Sequence, residues 1–210
     1  MPDTLQAEET ALVLFDFLNG HVKNDDTARA RYAPVIANAV RLLDCARRGG
    51  MMIAYANAAH RPDNATSAKT LRDTDNRLRP IPPGPAVRFE PAISGGTWEA
   101  QVIDELAPLP ADYIIPKYRW SAFYQTCLDL ALRSRQVGTI VLCGGSTDVG
   151  IASTAFAARD MDYHIIIASD ACTSPEQDNH RQFMQRVFPR MARVRTVAQI
   201  ESMLSRAQSD

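Results

Sequence analysis

The chain has 210 residues, 46% of them hydrophobic, and a net charge of −1. That is enough for one substantial core, read as a single domain over 1–210, and the near-zero charge excludes the electrostatic footprint of a nucleic-acid or membrane-surface protein. No apolar run approaches the roughly 18 residues needed to span a bilayer, and Met1 to Thr10 lacks a basic segment followed by an apolar one, so the expectation is a soluble, cytoplasmic protein.

The first apolar run, 11–15, is continuous rather than alternating and ends at Asp16, with Phe17 next. Continuous apolar character marks a strand buried on both faces. A helical pattern covers 30–48 and a second strand-like run 51–55, after which 57–96 is irregular and rich in Pro, Gly, Asn and Arg. A stretch of that length in a compact domain is read as a lid or a subunit contact. Within it, Asn64 opens a glycosylation sequon that is uninformative without a secretory signal.

Helical spacing is next read over 98–106, then a strand over 113–115 with Lys117 just beyond it, and a helix over 126–135. The strand 139–143 runs into the glycine-rich turn Gly144-Gly145-Ser146-Thr147-Asp148-Val149-Gly150, and a helix is predicted over 148–160. Strand 164–168, helix 176–188, a weak strand 194–197 and helix 198–207 complete the chain. Strand and helix alternation of this kind predicts an α/β fold: a three-layer α/β/α domain around a parallel sheet of about six strands. Ligands bind such sheets at the carboxyl ends of the strands. Asp16, Lys117 and the turn 144–150 all fall there.

A carboxylate at the end of a buried strand needs a partner, and Lys117 is the candidate. The backbone N–H groups around Ser146 to Gly150, with Thr147 or Asp148 capping the helix, suit an anionic oxygen. Phe17, Trp120 and Phe123 are candidate pocket walls. Arg61, Arg88 and Arg119 are candidate carboxylate holders, though a solvated surface position is the favoured reading of each. His60 is read as a loop residue and His180 as a helix or interface residue. No metal site and no cofactor are expected, because His60 has no second ligand at metal spacing. The four cysteines, Cys45, Cys127, Cys143 and Cys172, form no CxxC pair, which fits a reducing compartment. Cys172 lies beyond a strand at the same edge, with no base near it in sequence.

Three blocks resemble the isochorismatase-like (cysteine hydrolase) superfamily: Ala11 to Asn19 with Asp16, Lys117-Tyr-Arg-Trp-Ser-Ala-Phe123, and the glycine-rich turn followed by Ala168-Ser-Asp170-Ala-Cys-Thr and His180. The resemblance implies an isochorismatase-like, Rossmann-type topology, a cis peptide at Gly145–Ser146, self-association into a homo-oligomer and a small-molecule substrate. It also implies that Gly150 stands where cysteine-bearing relatives carry their nucleophile. Those relatives are amidases, whose acyl transfer begins with a thiolate. Ser146 and Thr147 offer hydroxyls, which need a stronger base than a carboxylate.

Isochorismatases proper are similar to this chain in having glycine at that position, and they hydrolyse a vinyl ether. By that resemblance Asp16 is the general acid, which requires it to hold a proton near neutral pH. Lys117 orients oxygens and relays charge, and Gly150 leaves room for substrate or water. Their usual tyrosine and histidine are Ser146 and Asp148 here, and their isochorismate-gripping residues find no counterpart in 57–96. Two further readings stay open: a catalytically inactive binding or assembly module, and an amidase whose cysteine has been replaced.

Overall fold

A computed structural model describes residues 4–63, 65–67 and 93–207. Six strands, β1 (Thr10–Phe15), β2 (Met52–Ala58), β3 (Tyr113–Lys117), β4 (Thr139–Gly145), β5 (His164–Thr173) and β6 (Arg193–Arg195), form one sheet. Its order is β3-β2-β1-β4-β5-β6, and every pairing is parallel. The order reverses between β1 and β4, which makes the carboxyl end of that pair the switch point where ligands enter doubly wound sheets.

The side chains of β1 alternate between two cores. Leu12 and Leu14 join Tyr55, Val141 and Cys143 under α2 (Asp26–Gly49) and α6 (Val197–Ala207). Ala11, Val13 and Phe15 join Ile140 and Leu142 under α3 (Leu128–Ser134) and α4 (Ala152–Asp160). The sheet is therefore the middle of three layers, and the unbroken apolar run 11–15 follows from burial on both faces.

Helix α2 begins earlier than the apolar pattern indicates, because Asp25 caps it by accepting from the Ala28 N–H at 2.7 Å. Gly50, at φ +81°, ends it. Its inward residues, among them Tyr32, Val35, Ala39, Leu42 and Leu43, recur at helical spacing.

The expected helix over 98–106 is not formed. Leu18 and Val102 make an antiparallel bridge, with Asn19 N–H donating to Gln101 O at 2.9 Å and Ile103 N–H to Phe17 O at 3.0 Å. Backbone groups committed to another segment cannot close a helix, so only the 3₁₀ turns Trp98–Ala100 and Asp104–Leu106 remain. The helix predicted over 148–160 opens as a π turn, Thr147–Ile151, before α4. That predicted over 176–188 divides into α5 (Gln177–Gln182), a π turn at Phe183–Val187 and a 3₁₀ turn at Phe188–Arg190.

Strand β5 runs on to Thr173, with a register irregularity opposite Leu142 and Gly144. Strand β3 is an edge strand containing Pro116, and Lys117 is its last residue rather than lying beyond it. Arg79 to Pro85, Arg88 and Asn64 lie outside the described residues. Among the described residues no helix is long and apolar enough to cross a membrane.

Candidate active site

Asp16 leaves β1 with φ +53°, an unusual conformation for a residue with a side chain and one that aspartate tolerates better than most. Its N–H donates to Ala56 O at 3.1 Å, so the turn is fastened to β2. Carboxylate Oδ1 accepts from the Ala58 N–H at 2.7 Å, and Oδ2 accepts from Lys117 Nζ at 2.6 Å. The side chains of Lys117 and Asp16 are 5% and 10% exposed, so the ion pair is largely withdrawn from water. Burial of this kind makes each charge depend on the other.

The turn after β4 approaches the same point. Gly144, at φ +124°, lies so close to β1 that a Cβ there would collide with the Phe15 carbonyl. No side-chain-bearing residue fits this position. The Gly145–Ser146 peptide is cis. Val149 and Ile151 turn their N–H groups back onto Ser146 O at 3.3 and 3.1 Å. Neither Thr147 nor Asp148 caps the helix, since the turn begins at Ser146 with no side-chain cap. Thr147, fully buried, shares a 2.9 Å hydrogen bond with His180 Nδ1, and Asp148 accepts from Ser174 Oγ and from Asn179 Nδ2. Burial lowers the His180 pKa below its ordinary value.

The space in front of Gly150 is not open, contrary to expectation. A Cβ there would lie 2.5 Å from Phe15 Cζ and closer still to Cε1. The Phe15 ring fills that volume, and its centroid is 4.2 Å from Lys117 Nζ.

Sequence reasoning missed three residues at this place. Phe15 looks like ordinary strand core. His21, in α1 (Asn19–Val22), feels both Asp16 and Lys117; burial lowers its pKa, so it is held neutral. Tyr32 projects from α2 so that a Cβ on Gly145 would run into its phenol oxygen and lie 3.3 Å from its Cζ. Burial, with Asp16 adding to it, pushes this phenol up to about 12, so it is a permanent hydrogen-bond donor at neutral pH.

The remaining candidates are dispersed. Phe17 is 1% exposed and meets Tyr32 edge-on, with ring centroids 6.4 Å apart. Phe123 packs against Tyr163 in the core beneath α3 and α4, whereas Trp120 is 62% exposed. Arg61 pairs with Asp63 at 2.7 Å, and Arg119 donates to Thr66 O and Tyr118 O. His60 bridges to Ser94, which ties together the two ends of the irregular stretch. Burial lowers the His60 pKa, and Asp16 and Lys117 both act on it. Cys172 is buried and its thiol is pushed up to about 12, so it stays protonated. A cavity of about 300 Å³ lined by Arg47, Met52, Asp112 and Tyr113 opens at the amino ends of β2 and β3, away from this chemistry. Among the described residues no cluster of three or more His, Cys, Asp or Glu is arranged to hold a metal ion.

A family model described as an isochorismatase domain matches residues 10–199. The isochorismatase family protein YwoC of Bacillus subtilis is 33% identical over 194 residues, 90% of each chain. A ureidoacrylate amidohydrolase, RutB of Rhizobium rhizogenes, is 29% identical over 181 residues, covering 81% of this chain and 72% of that protein. The solved structure of an isochorismatase family protein from Burkholderia thailandensis superposes with a TM-score of 0.76 at 27% identity, covering 96% of this chain and 98% of the other.

Proposed function

This chain belongs to the isochorismatase family of hydrolases, and within it we propose a hydrolase of a small carboxylated molecule that uses no cysteine nucleophile and cleaves a vinyl-ether-type bond by acid catalysis. The observation that carries this reading is the buried Asp16–Lys117 pair, 2.6 Å apart at the carboxyl edge of the sheet next to its switch point, beside a turn with glycine at position 150.

With substrate bound, Asp16 takes up a proton and passes it to the methylene carbon of the enol ether, while Lys117 stays an ammonium. The C=C electrons form the new C–H bond, and an oxocarbenium-like cation results. Water adds to the neighbouring oxygen-bearing carbon that carries the positive charge, the resulting hemiketal separates into a ketone and an alcohol, and a proton returns to the Asp16 carboxylate. Lys117 stabilises the carboxylate left after proton transfer and steers the substrate's oxygens. Tyr32, protonated at neutral pH, holds its phenol O–H beside Gly145 as a donor for a substrate oxygen.

Thiol chemistry finds little support here. Cys143 and Cys172 are buried with raised pKa values, and the amidohydrolase activity named for RutB requires an attacking group that position 150 does not supply. The test is a hydrolysis screen of isochorismate, other enol ethers and small amides, with Asp16→Asn as control. Enol-ether turnover abolished by Asp16→Asn yet unaffected by iodoacetamide supports the proposal. Amide turnover blocked by iodoacetamide overturns it.

A further inference from the structure

Phe15 is the last residue of β1, 1% exposed, on the face that packs beneath α3 and α4. Its ring touches two parts of the site. The tip lies where a side chain at 150 would begin, with Cζ 2.5 Å and Cδ1 3.2 Å from the position of a Cβ there. The face lies 4.2 Å from the Lys117 ammonium, which donates to Asp16 Oδ2 at 2.6 Å. We propose that Phe15 is a positioning and specificity-determining residue: its ring occupies the volume a side chain at 150 needs and holds the Lys117 ammonium against Asp16.

Two physical arguments converge on this. An ammonium 5% exposed has lost nearly all its water, and an aromatic face is a surface that attracts a cation without accepting its proton. The ring therefore compensates burial of Lys117 while leaving Asp16 as its hydrogen-bond acceptor. Close packing supplies the second argument. The ring is 1% exposed and belongs to the same buried core as Ile151, Ala152 and Leu128, so it cannot yield to a new Cβ without displacing neighbours. Glycine at 150 and phenylalanine at 15 are thus one interlocked choice. The packing relation is independent of the proposed reaction. Its meaning for specificity rests on reading position 150 as the nucleophile's place, because the same ring that steadies Lys117 excludes a thiol.

The experiment compares four proteins: the wild type, Gly150→Cys, Phe15→Val, and the double variant. Thermal melting and iodoacetamide labelling of the introduced thiol, located by peptide mass spectrometry, are the readouts. Gly150→Cys in the native background is expected to lower the melting midpoint. The same change in the Phe15→Val background is expected to be tolerated, with the new thiol labelled at least about tenfold faster than in the single variant. Equal losses in the two backgrounds, or an equally reactive thiol in both, would overturn the interlock. The Lys117 contact is read separately by NMR: the Lys117 Hε protons carry an upfield ring-current shift that Phe15→Leu removes and Phe15→Tyr restores. A shift unchanged in Phe15→Leu would overturn that half. None of these readouts needs a substrate, so failure to find turnover bears on the proposed reaction alone.

Discussion

Asp16 and Lys117 are joined across a strand that belongs to neither. Lys117 ends β3 and Asp16 follows β1, and β2 runs between them; its Ala58 pairs in register with Lys117 while donating its own N–H to Asp16. Three parallel strands must stop at the same level for the pair to form. The ion pair therefore reports on the alignment of the whole carboxyl edge.

Removing one member of this pair strands the other. Asp16→Ala should cost about 3–5 kcal/mol by urea denaturation, since it leaves a buried ammonium unpaired. The double change Asp16→Ala with Lys117→Met should recover most of that loss. Both variants should lack turnover. A single variant as stable as the wild type would show that the pair is not closed to water.

Tyr32→Phe removes only the phenol oxygen beside Gly145. The fold should be retained, because the ring still packs against Phe17. We expect kcat/KM to fall about tenfold, the equivalent of one hydrogen bond of roughly 1.4 kcal/mol. Unchanged kinetics would place the hydroxyl outside the reaction.

Iodoacetamide should label the exposed Cys127 first and the half-buried Cys45 more slowly, since burial raises the Cys45 pKa. Cys143 and Cys172 should stay unmodified in the folded protein. Turnover should survive labelling of the first two. Mass spectrometry with parallel activity measurement decides it.

His21, His60 and His180 all have folded-state pKa values below 6.5 because burial disfavours the cation. Below pH 6.5 the unfolded chain takes up protons that the folded chain refuses, so stability rises with pH in this range. The contribution is fully present above about 6.5 and is lost as the pH falls toward the folded values. Melting temperature should decline between roughly pH 7 and pH 5. His180→Gln, which keeps a polar partner for Thr147, should flatten that decline; an unaltered slope would remove His180 from the account.

What the sequence made legible follows physical lines. The runs 11–15 and 139–143 were readable as strands because burial on both faces leaves continuous apolar residues. Asp16 and Lys117 could be named, but their meeting 101 residues apart obeys no local spacing rule. It was legible because both residues fall at the carboxyl ends of strands in one parallel sheet, and through family resemblance. Phe15 and Tyr32 were hidden, since each fits an apolar pattern and its role arises from what a distant glycine permits. The stretch 98–106 misled because Val102, Ile103 and Leu106 imitate helical spacing, while their segment is claimed by Phe17 to Asn19.

The margins of the sheet carry a further consequence. Lys117 O accepts from the Ala59 N–H at 3.3 Å, so the backbone of Lys117 faces β2 and that of Pro116 faces outward. At the rim of β3, an arriving chain would therefore meet an imino nitrogen with no hydrogen to give. At the other rim, β6 offers only three residues, Arg193–Arg195. Both flanks discourage accretion by strand addition, the route by which open sheets nucleate fibrils.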